Sequence, residues 1–385
     1  MDDTFPFPVA RIGLIGGGQL GRMMVKAAKR LGCTCVVLDP VPGSPAAQVA
    51  GHQIVGDYSD PGRLRELAEA CDLITFELED VETETLLTLQ QEGHQIRPEP
   101  GLLATIQDKY RQKRFLADAG IPTSPFADMP VADEGAFAAF GYPLVQKARR
   151  GGYDGRGVAV LRDPSAFADH LPVAGFVERF VEADKELAVI VARNVDGDCR
   201  TYPVVEMRFH ASGNVLDFLV APAQIPADIA RQAEALAVQT VEAMHGVGVF
   251  GVELFLTRGG ELLVNEVAPR THNSGHHTIE ACVTDQFEQH LRAVLGLPLG
   301  ETRQLSPAAM VNLLGEQGYV GRPVLHGLRA ALRIPGVCLH IYGKAVTKPG
   351  RKMGHVTVID DSIEAACEKA ARVKALIQIK GDRAI

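Results

Sequence analysis

Basic blocks, long apolar runs and paired cysteines are all missing from this 385-residue sequence. Its 39 Lys and Arg are outnumbered by 47 Asp and Glu, a formal net charge of −8, and they gather nowhere into a face that a phosphodiester backbone would use. Nucleic acid is therefore not expected as a partner. Apolar runs such as Ala235 to Val238 fall far short of the ~20 residues that cross a bilayer, and the opening Met1-Asp2-Asp3 lacks the basic-then-apolar start of a secretory signal. The expectation is a cytoplasmic protein without a membrane partner. The cysteines, at Cys33, Cys35, Cys71, Cys199, Cys282, Cys338 and Cys367, form no CxxC pair and mostly lie in apolar runs, so they read as reduced thiols. A GxxxxGK[ST] phosphate loop and an HExxH zinc motif are also absent. What is present is an ordinary globular composition, 46% hydrophobic and 22% charged. The length suits roughly two to three domains of ~100–200 residues.

The chain opens with alternating apolar runs and helical patterns. Strands are expected over Arg11 to Ile15, Cys33 to Leu38 and Leu73 to Phe76, with helices over Gln19 to Leu31 and Leu64 to Ala70 between them. This βαβαβ order implies a doubly wound parallel sheet, which binds ligands at the carboxyl ends of its strands, where Gly16 to Gln19, Asp39 and Glu77 fall. A helical stretch from Leu102 to Ala119 ends at Gly120, and the Pro-rich Ile121 to Pro125 marks a boundary. Residues 1–120 are thus a first domain. A small α+β lid is expected over 121–183, with strands at Pro143 to Ala148, Val158 to Leu161 and Phe176 to Val181. A larger α+β domain is expected over 184–385, with strands at Glu186 to Ala192, Arg200 to Phe209 and Val215 to Pro222. A helix from Ala227 to His245, a hairpin from Val249 to Ala268 and a closing helix from Ile363 to Leu376 follow.

Gly16-Gly-Gly-Gln-Leu-Gly21 fits GxGxxG after a strand, with Asp39 ending the next strand. A nicotinamide dinucleotide and a ligand-free βα turn are equally compatible with that motif alone. In the hairpin, Gly259-Gly260 read as a two-residue turn puts Glu253 opposite Glu266 on an apolar ribbon. Like charges facing each other destabilise a ladder, and a hard cation such as Mg²⁺ between them resolves the conflict; two exposed acids on a solvated strand face are the alternative. Asn265 faces the other way in a regular ladder, so its use at the same site requires a bulge. Lys147 leads into the glycine-rich Arg149 to Gly157, a flap suited to covering phosphates, with Lys109 as a further cation; a plain glycine-rich hairpin is the alternative. His272 to His277 is interrupted by Gly275 and suits a polar substrate loop better than a zinc site. Lys344, Arg351 and Lys352 flank Pro349-Gly350 and form a cationic loop able to hold a phosphate monoester.

Taken as a set, Gly16 to Met23, Gly151 to Gly157, Ala268 to His276, Gln286 to Ala293 and Gly350 to His355 resemble the N5-carboxyaminoimidazole ribonucleotide synthetase family of ATP-grasp enzymes, over nearly the whole chain. The resemblance implies an ATP-grasp fold behind a preATP-grasp domain and a homodimer. It implies an ATP- and bicarbonate-dependent carboxylation of 5-aminoimidazole ribonucleotide in purine biosynthesis, with one or two Mg²⁺ ions. On this resemblance Glu253 and Glu266 hold the metal. ATP falls to Lys109, Lys147, the flap residues Gly152, Tyr153, Asp154, Gly155, Arg156, Gly157 and Val158, to Glu178, Arg179, Phe180 and Val181 around adenine, to Glu186 at the ribose, and to His210, Asn265 and Glu266. Gly18, Gln19, Leu20, Asp39 and Glu77 are implied for the ribonucleotide, with Lys344, Arg351 and Lys352 at its phosphate. Tyr153, Arg270, His272 and Asn273 are implied around bicarbonate and the reactive intermediate. The chain departs from the family pattern at Thr271 and His277, at Lys109 where Arg is common, and over Glu206 to His210, which is one residue longer. The alternatives are another ATP-grasp ligase, such as a formate-using glycinamide ribonucleotide transformylase, a nicotinamide oxidoreductase, and a nucleotide-binding paralogue without turnover.

Overall fold

A computed structural model describes residues 7–152, 157–209 and 216–385. The N-terminal sheet is parallel throughout, in the order Gly51–Val55, Thr34–Asp39, Arg11–Ile15, Leu73–Phe76. Three of these strands are the expected ones. The fourth, Gly51–Val55, is an edge strand reached through the one-turn helix Ala47–Ala50, and its half-buried, polar pattern carries no strand signal in the sequence. Helix Gln19–Arg30 lays Leu20, Met23, Met24, Ala27 and Ala28 against the sheet and ends in Lys29 and Arg30, cations that suit a helix C-terminus. Helix Pro61–Ala70 begins at Asp60, whose carboxylate accepts from the Gly62 and Arg63 N–H groups.

The expected single helix over Leu102 to Ala119 is two, Pro100–Ile106 and Lys109–Asp118. Asp108 breaks it: its backbone is extended, and its side chain caps the second helix by accepting from Tyr110 and Arg111. Lys109 therefore starts a helix instead of lying within one.

The lid sheet is antiparallel, in the order Phe126–Met129, Gly175–Arg179, Leu144–Ala148, Val158–Leu161. Helix Glu134–Phe140 and the 3₁₀ turn Pro164–Asp169 close its core around Phe137, Leu144, Leu161 and Val177. The large sheet runs Leu262–Ala268, Gly248–Thr257, Ala183–Arg193, Val205–Phe209, Leu216–Ala221, Ala308–Leu314, Lys352–Ile359, Val337–Ile341, with Cys199–Thr201 also paired to Ala183–Arg193. The strand expected from Arg200 to Phe209 is thus divided, with Pro203, which has no N–H to donate, in the gap. Helix Ala227–Met244 packs Ala233, Ala237 and Val241 on the face formed by Leu187, Val189, Phe250, Val252 and Val264.

The hairpin turn is three residues, not two. Thr257 donates to the Glu261 carbonyl and accepts from Gly260, which sits at φ +84°, leaving Arg258, Gly259 and Gly260 in the loop. All seven cysteines are free thiols. No described helix is long and apolar enough to cross a membrane.

Candidate active site

The glycine turn is filled by carboxylates of its own domain. Gly17 N–H donates to Asp39 Oδ2 at 2.7 Å, Gly18 N–H to Glu77 Oε1, and Gly21 N–H to Glu77 Oε2 at 2.5 Å. The helix N-terminus thus receives Glu77 where a dinucleotide fold would present it to pyrophosphate. That argues against the nicotinamide reading. The glycines are needed for this approach: a Cβ on Gly17 would lie 2.1 Å from Ser44 Oγ, and one on Gly18 2.5 Å from Glu77 Oε1. Burial pushes the Glu77 carboxyl up, against the opposing pull of the Gly21 and Gly18 N–H groups and Arg270. Asp39 also accepts from Tyr58 Oη at 2.8 Å and Val41 N at 2.8 Å. The Leu20 side chain belongs to the domain core, which leaves its backbone for a ligand. Gln19, at the helix start, is half-buried.

The cationic loop docks against this domain. Gln48 donates to the Gly343 carbonyl at 2.8 Å and accepts from Arg22 at 2.8 Å. Lys344 donates to the Lys352 carbonyl at 2.7 Å and lies 5.7 Å from the ring centre of Tyr342, while Arg351 donates to the Val346 carbonyl at 2.7 Å.

The second cluster lies where the lid meets the large sheet. Glu253 and Glu266 face each other across the two hairpin strands, as expected. The ladder has a bulge just past this pair, at Asn265. Lys109 pairs with Glu266, and Lys147 donates to Asn265 Oδ1 at 3.0 Å and stands 3.2 Å from Glu178 Oε1. These residues line one cavity with Gln112, Lys113 and Phe176. Burial raises Glu253 to about 8, reinforced by the negative charges of Glu266 and Glu186. Burial acts on Glu266 too, but Lys109 and Lys147 outweigh it and hold that carboxyl low, at about 2. Burial alone pushes Glu186 up against a weaker pull from Lys147. A divalent cation fits this pair, since the strained carboxylate is the one without a lysine. Among the described residues no group of three His, Cys, Asp or Glu side chains is arranged to hold a metal ion.

Of the residues expected around bicarbonate, His272 borders the same pair. His272 Nε2 lies 3.4 Å from Glu253 Oε1, and its backbone is held by Gln286, which accepts from its N–H at 2.8 Å and donates to its carbonyl at 2.7 Å. Arg270 pairs with Glu79 at 2.8 Å. Both polar atoms of the Asn273 side chain are buried without a hydrogen-bond partner among the described residues. His276 and His277 are buried, and burial lowers both, His277 to about 4.

Other expected residues divide. Gly157 accepts from Ala148 N–H at 2.8 Å and Val158 pairs with Lys147, which fixes the ends of the flap beside the lysine, and Gly152 closes the described part of its first arm. Arg179 points away: it donates to the Phe140 carbonyl at 2.8 Å and stacks on that ring, on the opposite side of its strand from Glu178. Phe180 and Val181 form the connector into the large sheet, with the Phe180 N–H on the Pro143 carbonyl and the Val181 carbonyl accepting from Ala183. Tyr153, Asp154, Gly155, Arg156 and His210 lie outside the described residues. Sequence reasoning missed Lys113 and Glu79. Lys113 and Gln112 sit one turn after Lys109, behind the Asp108 cap.

Three family models match: the ribonucleotide synthetase preATP-grasp domain over residues 9–107, the ATP-grasp domain over 114–287, and the phosphoribosylaminoimidazole carboxylase C-terminal domain over 308–369. The N5-carboxyaminoimidazole ribonucleotide synthase of Synechococcus elongatus is 44% identical over 91% of this chain and 90% of its own. The crystal structure of N5-carboxyaminoimidazole ribonucleotide synthetase from Thermotoga maritima superposes with a TM-score of 0.90 at 49% identity, covering 97% of this chain and 100% of that one. The N5-carboxyaminoimidazole synthase of Aspergillus clavatus, solved with ADP and 5-aminoimidazole ribonucleotide, gives a TM-score of 0.87 at 33% identity, over 95% of this chain and 98% of its own. The paired carboxylates, the lysines around them and the carboxylate-filled glycine turn thus lie in a chain that belongs to the N5-carboxyaminoimidazole ribonucleotide synthase family, ATP-grasp ligases of purine biosynthesis.

Proposed function

We propose that the chain carboxylates the exocyclic amine of 5-aminoimidazole ribonucleotide, using ATP and bicarbonate. The observation that carries this reading is the Glu253–Glu266 pair, which has phosphate-seeking lysines on one side and the His272 loop on the other. Bicarbonate is a poor electrophile. Transfer of the γ-phosphoryl group to one of its oxygens releases ADP and gives carboxyphosphate, a mixed anhydride whose carbon accepts the amine, directly or as CO₂ freed in the closed site. Phosphate leaves, the amine nitrogen loses a proton, and the product is the N5-carbamate.

The residues here supply charge and position. Lys109 and Lys147, now on Glu266 and Asn265, exchange those partners for ATP phosphates, with the flap from Gly152 to Val158 above. Glu253 and Glu266 would hold Mg²⁺, which when bound neutralises phosphate charge. Glu178 and Val181 border the adenine and Glu186 its ribose. Arg270, His272 and Asn273 surround bicarbonate, the Asn273 amide, which has no partner among the described residues, offering both a donor and an acceptor. The ribonucleotide lies between Gln19, Asp39 and Glu77 and the cationic loop of Lys344, Arg351 and Lys352. The proposal includes a lid of residues 121–183, a homodimer and a cytoplasmic location; light scattering checks the dimer.

The test is ADP formation from Mg-ATP with ¹³C-bicarbonate, with and without the ribonucleotide. The expected result is hydrolysis that depends on the ribonucleotide and a ¹³C carbamate on its exocyclic nitrogen. No stimulation by the ribonucleotide overturns the reading.

A further inference from the structure

Lys113 performs no step in the reaction above, yet it is only 2% exposed. A lysine is retained in such a place only where its charge and its N–H groups are matched. Its ammonium stands 3.4 Å from Glu178 Oε2 and donates to Thr123 Oγ1 at 2.5 Å, Ser124 Oγ at 3.2 Å and the Val264 carbonyl at 3.3 Å. Ser124 Oγ in turn donates to the same Glu178 oxygen at 2.8 Å. One carboxylate oxygen is therefore fixed from below by a cation and a hydroxyl. The other, Oε1, is buried and has no hydrogen-bond donor in good geometry among the described residues, although Lys147 lies 3.2 Å away. Glu178 lines the cavity that also holds Lys109, Lys147 and Glu266.

We propose that Lys113 is a positioning residue for base recognition: with Ser124 it clamps Oε2 of Glu178, so that Oε1 is presented as an acceptor to the exocyclic amino group of adenine. This rests on the reading of the cavity as the nucleotide site. The clamp has two effects. A carboxylate kept ionised accepts hydrogen bonds and donates none, so it receives the amino group of adenine and repels the carbonyl oxygen that guanine carries at that position. It also stays ionised when Lys147 turns to the phosphates, because Lys113 has no such alternative: it is enclosed by the lid strand, the connector at Thr123 and Ser124, and the Val264 carbonyl of the large sheet. Lys113 thus acts through Glu178 and touches no substrate.

Calorimetric titration of the full chain with ADP and with GDP tests this, using wild type, K113M, S124A, E178Q and K113M/E178Q. Wild type is expected to prefer ADP by about tenfold or more, a range typical of a hydrogen-bond mismatch in a built site. K113M loses about tenfold in ADP affinity with GDP nearly unchanged, S124A moves the same way by less, and the double variant is no worse than E178Q alone. Equal losses for ADP and GDP, additivity with E178Q, or no loss at all overturns the proposal. If K113M does not fold, S124A and the charge-balanced double variant give the same comparison. Failure of wild type to bind ADP overturns the nucleotide reading and this inference with it, whereas normal ADP binding by wild type and K113M alike overturns the role of Lys113 only.

Discussion

Binding of the magnesium nucleotide should expel a proton from Glu253. Burial, together with Glu266 and Glu186, raises this carboxyl to about 8, so at pH 7 it is mostly protonated before the metal arrives. A divalent ion coordinates the carboxylate and not the acid. Its binding therefore releases close to one proton at pH 7 and progressively fewer as pH rises past the raised value. The sign follows from competition: below the raised value protons oppose the metal, and apparent affinity climbs nearly tenfold per pH unit until it levels above about pH 8. Glu266 adds nothing to this count, since Lys109 and Lys147 hold it ionised throughout. The assay is calorimetric titration with preformed MgADP in paired buffers of equal pH and different ionisation enthalpy. The slope of observed heat against buffer enthalpy counts the protons. In E253Q the slope should fall to near zero. A wild-type slope near zero, proton uptake, or an unchanged slope in E253Q refutes the assignment of the raised carboxyl to the metal pair.

Three further outcomes are expected. Glu266→Gln should lower ribonucleotide-dependent ADP formation by about a hundredfold or more, the scale of losing a metal that neutralises transferred phosphate; near-normal turnover would remove the pair from the metal site. Gly17→Ala places a methyl 2.1 Å from Ser44 Oγ, and it should destabilise the fold by about 1–3 kcal/mol in urea titration, while unchanged stability would show that the turn does not need the close approach. His277 and His290 are both buried, with burial lowering each to about 4. The unfolded chain binds protons there from about pH 6.5 downward and the native chain does not, so stability should fall by about 2 kcal/mol per histidine between pH 7 and pH 5. Equal or greater stability at pH 5, read by urea unfolding, contradicts their neutral burial.

The fate of His290 shows what sequence can and cannot carry. Its helix, Gln286–Leu295, falls in a segment that carries the family resemblance. Its role cannot be read there: Nδ1 accepts from Val249 of the large sheet at 3.1 Å, and Nε2 meets Thr75 of the N-terminal sheet at 2.8 Å, so one imidazole ties two domains. Lys113 is illegible for the same reason. On its own helix it is a polar residue one turn from another lysine, and only the meeting of helix, connector, lid strand and large sheet makes it a buried counter-ion. Three of the four N-terminal strands, by contrast, are legible because local apolar runs in a parallel sheet need no knowledge of distant partners.

The hairpin gives the most instructive mixture. Glu253 faces Glu266 as the sequence suggests, but by a different route: the loop is three residues long, which shifts Leu254 to Leu256 into register with Val264, Leu263 and Leu262, and the extra residue at Asn265 shifts the ladder back before the carboxylates. A longer loop and a bulge offset each other. The bulge has its own consequence. In a regular strand Asn265 and Glu266 would point to opposite faces, one to the site and one to the core that holds Val252 and Val267. With the extra residue, both line the same cavity, Asn265 on Lys147 and Glu266 on Lys109. Two adjacent residues can therefore hold two lysines, which on the proposed reading pass to phosphate together. A two-residue turn with an unbroken ladder would have set Glu253 against Glu266 without that amide, leaving Glu178 as the close partner of Lys147.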